Sequence, residues 1–398
     1  MKPVATYQKL RGGYYTPPAI AHFLAEWAIQ SPGDVVLEPS CGDGEILHAA
    51  ATRLLRLGAE PHAVKDRLYG VELDALESAK ASERLDSLLG IGSPIHSGDF
   101  FSFCKSHLND RREYDAIIGN PPFIRYQSFP EEYRRIAFYL MQRAGLHPNR
   151  LTNAWVPFLV ASTLLLNDDG RLAMVIPAEL LQVNYAAELR YFLSRYYGKI
   201  TLITFRKLLF GGIQQEVVLF LGERAGGDHS GIRTIELDNM DDLKAHELTR
   251  SVQPRVKEMD HSTEKWTMYF LDENELALVR RLRCDDRLIP SSYVMNVDVG
   301  IVTGMNEFFV LTEDQVRAFQ LSPYVLPLVG RSAHLPGAIF SESDWEHNRA
   351  SGAPTYMLSI PDVPSHALPR EVQEYVTQGE QKGFQTGYKC RIRKHWYT

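Results

Sequence analysis

Asp115-Ala116-Ile117-Ile118-Gly119-Asn120-Pro121-Pro122-Phe123 sets an apolar strand directly before residues that can grip and stack a flat polar group. Proline has no amide hydrogen, and a residue preceding proline is confined to extended backbone, so the strand must stop here. What remains is rich in acceptors. The side-chain carbonyl of Asn120 and the backbone carbonyl of Pro121 can both accept hydrogen bonds from one exocyclic amino group, and Phe123 offers a face on which a planar base stacks. An amide or aromatic amine is a poor nucleophile because its lone pair is delocalised. Two acceptors that draw its protons out of the ring plane localise that lone pair and aim it at an electrophilic methyl group. A bland β-turn is the competing reading of Asn-Pro-Pro, and its position after a fourth strand weighs against that reading.

Upstream, Val35-Val36-Leu37-Glu38-Pro39-Ser40-Cys41-Gly42-Asp43-Gly44 reads as a strand running into a glycine turn and then a helix. In a parallel sheet such turns line the carboxyl ends of strands, where glycine lets the backbone approach a nucleotide-like ligand. The next strand, Tyr69-Gly70-Val71-Glu72, ends in a carboxylate able to accept hydrogen bonds from both hydroxyls of a ribose. There is no Gly-x-Gly-x-x-Gly fingerprint, and Asp43 and Glu45 beside the turn would repel a pyrophosphate. A ligand without phosphate, such as S-adenosylmethionine, fits better. After the third strand, Asp99 offers an acceptor for an adenine amino group and Phe100 an aromatic surface. Asp99 reads even more readily as a helix cap.

These loops need a scaffold, and the chain supplies one. Up to about residue 225, β-rich runs (34–37, 67–72, 95–99, 114–119, 171–176, 200–205 and 215–221) alternate with helical stretches, predicting an α/β fold with a doubly wound, mostly parallel seven-stranded sheet ending in an antiparallel hairpin. The loop composition of Gly226 to Gly231 places a domain boundary there, giving domains 1–225 and 226–398. The second part predicts α+β structure, with a strand over 232–237, a helix over 273–283, a strand-like run over 307–311 and a polar helix over 370–381.

The formal charge of -6, from 43 basic and 49 acidic side chains, speaks against binding nucleic acid by bulk positive charge. That excess is local. Residues 1–225 carry 24 of each sign, so 19 basic and 25 acidic side chains fall in the second part, which still gathers Lys389, Arg391, Arg393 and Lys394 among Tyr388, Trp396 and Tyr397 at its end. Four dispersed cysteines give no zinc spacing and point to a reducing compartment. No signal-peptide pattern is visible, and the apolar run over 157–166 is about half of the ~20 residues that span a bilayer, so a cytoplasmic protein is expected.

In their order along the chain, Gly13-Tyr14-Tyr15-Thr16-Pro17-Pro18, the Glu38-to-Gly44 turn and Asn120-Pro121-Pro122-Phe123 resemble the gamma class of N6-adenine DNA methyltransferases of restriction-modification systems. Gly300 to Phe309 and Tyr388 to Tyr397 resemble features of that family's target recognition domain, so the resemblance covers nearly the whole chain. It implies a class I, Rossmann-like catalytic domain that binds S-adenosylmethionine, followed by a DNA recognition domain that could continue past Thr398. Tyr15 and Thr16 would hold the methionine part of the cofactor, Glu38, Cys41 and Gly42 would line its pocket, Glu72 would bind the ribose, and Asp99 with Phe100 the adenine. Asn120, Pro121, Pro122 and Phe123 would hold a target adenine flipped out of double-stranded DNA, with Phe210 as a second aromatic wall. Arg331, Lys389, Arg391, Arg393 and Lys394 are candidates for contacts to phosphates or guanine edges, and a restriction or defence-system protein is an expected partner. No metal is implied. Protein glutamine methyltransferases share the Asn-Pro-Pro-aromatic motif but need no long C-terminal domain; a non-catalytic DNA-binding subunit is the other alternative. Only about a dozen residues precede Gly13, and no N-terminal nuclease is expected in them.

Overall fold

The computed structural model describes residues 15–90, 95–110, 113–123, 130–148, 152–207, 216–224, 230–243, 256–262, 264–298 and 300–398. The chain forms two compact units, Met1–Asp286 and Arg287–Thr398.

In the first unit, β1 (Val36–Glu38), β2 (Leu68–Glu72), β3 (Ile95–Ser97), β4 (Tyr114–Gly119), β5 (Leu166–Pro177), β6 (Lys199–Phe205), β7 (Val217–Glu223) and β8 (Gly231–Leu237) build one sheet in the order β3-β2-β1-β4-β5-β7-β6-β8. β7 runs antiparallel between β5 and β6, and every other pairing is parallel. Successive side chains on a strand face opposite ways, and here both faces are buried. Leu172, Met174 and Ile176 of β5 join one core with Leu37, Ile117 and Phe220, while Ala173 and Val175 join a second with Val36, Ile118 and Leu219. The helices that cover these faces are α1 (Pro18–Ala28), α2 (Glu45–Arg56), α3 (Pro61–Arg67), α4 (Ala75–Leu89), α5 (Phe100–Asn109), α6 (Glu131–Arg143), α7 (Trp155–Leu164), α8 (Ala187–Tyr196) and α9 (Glu273–Arg283). Among the described residues no helix is long and apolar enough to cross a membrane.

Two expectations are corrected here. The sheet has eight strands rather than seven, because β8 pairs in parallel with β6 from Lys199↔Gly231 to Phe205↔Leu237. The division after residue 225 therefore falls inside the first unit, which extends to Asp286. Buried polar ties explain why the later segment stays with the sheet. Lys257 bridges to Ile232 and its Nζ donates to the carbonyls of Tyr269 and Leu271. The Thr234 hydroxyl donates to the Tyr269 carbonyl at 2.9 Å. From α8, the fully buried Arg190 reaches the carbonyls of Glu264, Leu180 and Val183 at 2.9–3.0 Å. Arg190 thus ties the backbone at Glu264 to that at Leu180 and Val183, so this segment is held by more than apolar contact.

The second unit has its own core and a three-stranded sheet, β10-β11-β9, formed by β9 (Val310–Leu311), β10 (Val325–Pro327) and β11 (Tyr356–Leu358). Helices α10 (Asn306–Phe309), α11 (Glu313–Ala318), α12 (Glu342–Ala350), α13 (Arg370–Gln381) and α14 (Tyr388–Arg391) complete it. The strand expected over 307–311 begins instead as one helical turn. The Thr303 hydroxyl donates to Asn306 Oδ1 at 2.5 Å and accepts from the Met305 amide, which winds the backbone before β9 starts. Phe308 then stacks on Tyr375, with ring centroids 4.8 Å apart, and packs on Trp396 at 4.6 Å.

Candidate active site at the carboxyl ends of the central strands

Leaving β1, the chain turns sharply because the Gly44 amide donates to the Cys41 carbonyl at 2.8 Å, and the Cys41 amide donates back to Val71 of β2 at 3.0 Å. Gly42 and Gly44 both take the left-handed conformation, with φ of 50° and 81°. At Gly44 there is also no room: a Cβ would lie 2.8 Å from the Ala81 backbone, so α4 presses directly on the turn.

Glu72 ends β2 and clamps this turn from the other side. Its Oε2 accepts from the Gly42 amide at 2.9 Å and its Oε1 from the Asp74 amide at 2.8 Å. Each carboxylate oxygen has a second lone pair, so the arrangement fixes the carboxylate and still leaves it able to accept from hydroxyls. Burial raises its pKa despite those amides. Glu38 is more extreme. It is 2% exposed and its Oε2 has no hydrogen-bond partner among the described residues. Burial, followed by the charges of Glu72 and Asp43, pushes its pKa well up. Burial, followed by the charges of Glu38 and Glu72, pushes up the neighbouring Cys41 thiol.

Arg84 of α4 is a part of the site that the sequence reading missed. Its guanidinium pairs with Asp43 at 3.0 Å and with Glu45. The repulsion expected from those two acids is therefore partly neutralised by one cation, which lies 41 and 39 residues away along the chain. No local signal could have announced it.

The two residues expected at the adenine have protein partners of their own. Asp99 caps α5, with Oδ2 accepting from both the amide and the hydroxyl of Ser102 at 2.8 Å. Phe100 is 3% exposed and stacks on Phe158, with ring centroids 5.2 Å apart. Both residues thus have structural duties that explain their positions. Accordingly, Phe100→Ala should cost about 3–5 kcal/mol of stability, measured by denaturant unfolding, and leave cofactor affinity unchanged.

β4 delivers Asn120-Pro121-Pro122-Phe123 to the same edge of the sheet. A Cβ on Gly119 would stand 3.2 Å from Pro39 Cδ, so the ends of β4 and β1 are in close register. The Asn120 side-chain amide donates from Nδ2 to Thr16 Oγ1 at 3.2 Å. Pro121 is buried, while Pro122 and Phe123 are half-buried, with Phe123 packed at the margin of both cores. Thr16 is 7% exposed. Its neighbour Tyr15 is half exposed, and its hydroxyl donates to Glu77 of α4 at 3.2 Å. Glu38 and Glu72 thus end β1 and β2, Cys41, Gly42 and Asn120 to Phe123 follow β1 and β4, and Tyr15 and Thr16 reach this end of the sheet through their bonds to Glu77 and Asn120. Phe210 lies outside the described residues.

In the second unit, Arg331, Lys389, Arg391 and Lys394 are exposed. Arg393 differs from them. It donates from Nη2 to the Thr303 carbonyl at 2.7 Å and lies over the Phe309 ring at 4.9 Å, a structural role for a residue expected to meet DNA.

Comparison with known proteins bears on two long segments. Residues 68–210 match the Eco57I restriction-modification methylase family, and residues 263–398 match the C-terminal domain of the type II methyltransferase M.Eco57I. Over these segments the chain is similar to restriction-modification DNA methyltransferases. The type II methyltransferase M.AccI of Acinetobacter calcoaceticus is 21% identical over 98% of this chain and 69% of its own length. M.TthHB8I of Thermus thermophilus is 30% identical over 49% of this chain and 41% of its own. M.BstVI of Geobacillus stearothermophilus is 24% identical over 81% of this chain, which spans 63% of that relative. The chain is therefore shorter than the relatives it matches. Among solved structures, the DrdV–DNA complex shares the fold with a TM-score of 0.58 at 14% identity, over 89% of this chain and 44% of that one. The Type ISP restriction-modification enzyme LlaGI does so with a TM-score of 0.55 at 16% identity, over 77% of this chain and 35% of that one.

Proposed function

We propose that this protein transfers a methyl group from S-adenosylmethionine to N6 of an adenine flipped out of double-stranded DNA. The observation that carries the cofactor half is Glu38: a carboxylate with an oxygen unpartnered among the described residues, buried beside Glu72 and Asp43, is a site short of positive charge. A ligand bearing an ammonium and a sulfonium supplies it. Glu38 and the Cys41–Gly42 turn would hold its methionine part together with Tyr15 and Thr16, and Glu72 would accept from the ribose hydroxyls. When bound, that cofactor provides the electrophilic methyl group.

The target half rests on Asn120-Pro121-Pro122-Phe123. The Asn120 Oδ1 and the Pro121 carbonyl accept the two protons of the amino group, and Phe123 stacks on the base. Removing a base from the duplex costs a few kcal/mol, and base-aromatic stacking of ~1–3 kcal/mol offsets part of that. The exposed cations of the second unit would meet the phosphates, and a restriction enzyme acting at the same sequence is the expected partner. The match of residues 263–398 to a methyltransferase C-terminal domain favours DNA over a protein glutamine as substrate.

Incubation with methyl-labelled S-adenosylmethionine, mixed-sequence duplex DNA and bacterial protein tests the substrate class. Label is expected in DNA alone. Label in protein would return the glutamine reading, and cofactor binding without transfer would favour a non-catalytic subunit.

A further inference from the structure

The residues around Tyr15 contain a contact that neither the cofactor pocket nor the base-holding loop explains. Glu77 stands on the first turn of α4, with its side chain 19% exposed. It accepts from the Tyr15 hydroxyl at 3.2 Å and also pairs with Lys80 at 2.8 Å. One residue further on, Thr16 accepts from the Asn120 amide at 3.2 Å. Tyr15 and Thr16 therefore span from the helix that follows Glu72 to the loop that follows β4.

The next residues make this a strap with one fixed end. Pro17 and Pro18 hold Thr16 in extended conformations and start α1, whose Ile20, Ala21 and Leu24 are fully buried. The strap cannot swing from that end. Its remaining freedom is resisted by the bonds to Glu77 and Asn120.

Resting on the cofactor reading above, we propose that Glu77 is a positioning residue: by holding the Tyr15 hydroxyl it latches the strap across the cofactor pocket and seats Thr16 against the Asn120 amide. A carboxamide placed the wrong way round would offer a donor to the amino group it should accept from. The latch therefore links cofactor retention to the orientation of Asn120. Neither effect requires Glu77 to touch cofactor or base.

The experiment is a double-mutant cycle in the full chain, with Tyr15→Phe and Glu77→Ala singly and together, reading the dissociation rate of S-adenosylmethionine and the single-turnover transfer rate at saturating cofactor. Each single variant should release cofactor ~3–10-fold faster, the effect of losing one hydrogen bond to a carboxylate, and should slow transfer. The double variant should be no worse than the singles, because they share one interaction. Glu77→Gln, which can still accept from Tyr15, should recover most of the retention. Thermal midpoints within a few degrees of the wild type separate these effects from unfolding. Unchanged dissociation in the singles, or additive effects in the double variant, would overturn the latch. Absence of saturable binding to the wild type would remove the cofactor reading, and the latch with it.

Discussion

Asn120→Ala is expected to reduce methyl transfer at saturating cofactor by about 10³-fold, the scale of losing a preorganised group that acts on developing charge. The residue sits where β4 must end, half-buried, with its amide nitrogen donating to Thr16 at 3.2 Å. That bond uses the amide nitrogen, the end opposite the carbonyl proposed to meet the amino group. The cofactor pocket proposed above is built from other residues: Glu38 at the end of β1, Glu72 at the end of β2 and the Gly42 amide that Glu72 clamps. Cofactor affinity of the variant, measured by calorimetry, should therefore stay within a few-fold of the wild type. An equal loss of affinity and transfer would mean that Asn120 holds the cofactor rather than the base.

Glu38→Gln should separate stability from function. The wild-type carboxyl has its pKa raised by burial first and by Glu72 and Asp43 next. For an acid whose folded-state pKa lies above its unfolded value, the folded protein binds the extra proton. Its favourable contribution is thus complete below the unfolded value and is lost as pH rises through the folded one. Without ligand, Glu38→Gln should therefore melt at a higher temperature than wild type at neutral and alkaline pH, with the difference vanishing toward pH 4.5. Bound cationic ligand reverses the sign, because it favours the ionised carboxyl. Cofactor binding to the wild type should then release a proton, visible as a buffer-dependent calorimetric heat, and Glu38→Gln should release none. Its affinity should fall by ~10–100-fold, the scale of losing a buried hydrogen bond to a charged group. A variant that is destabilised without ligand, or that binds as tightly as wild type, would show that Glu38 serves packing alone.

Sequence reading succeeded where a local rule determines the outcome. Proline ends β4 after Gly119, glycine permits the left-handed turn at positions 42 and 44, and the polar pattern over 370–381 becomes helix α13 with the same bounds. It missed what long-range packing decides. β8 follows a glycine-rich loop that reads as a domain boundary, yet its buried Ile232 and the Lys257 bridge attach it to the sheet. Phe100 follows a strand end and reads as a ligand wall, and its stacking on Phe158 from α7 has no local signal. Arg84 and Glu77 have no distinguishing sequence pattern; their meaning comes from α4 packing on the Gly44 turn. Asp99 was legible both ways, and its bonds to Ser102 supply the helix-cap reading.

The central claim is the identity of the acceptor atom, and nucleoside analysis addresses it most directly. Duplex DNA containing all short sequence contexts would be incubated with the protein and S-adenosylmethionine, digested to nucleosides and resolved by mass spectrometry, with Asn120→Ala in parallel. N6-methyldeoxyadenosine is expected from the wild type and none above background from the variant. Methylated cytosine in place of methylated adenine, or N6-methyldeoxyadenosine formed equally well by Asn120→Ala, would contradict the claim.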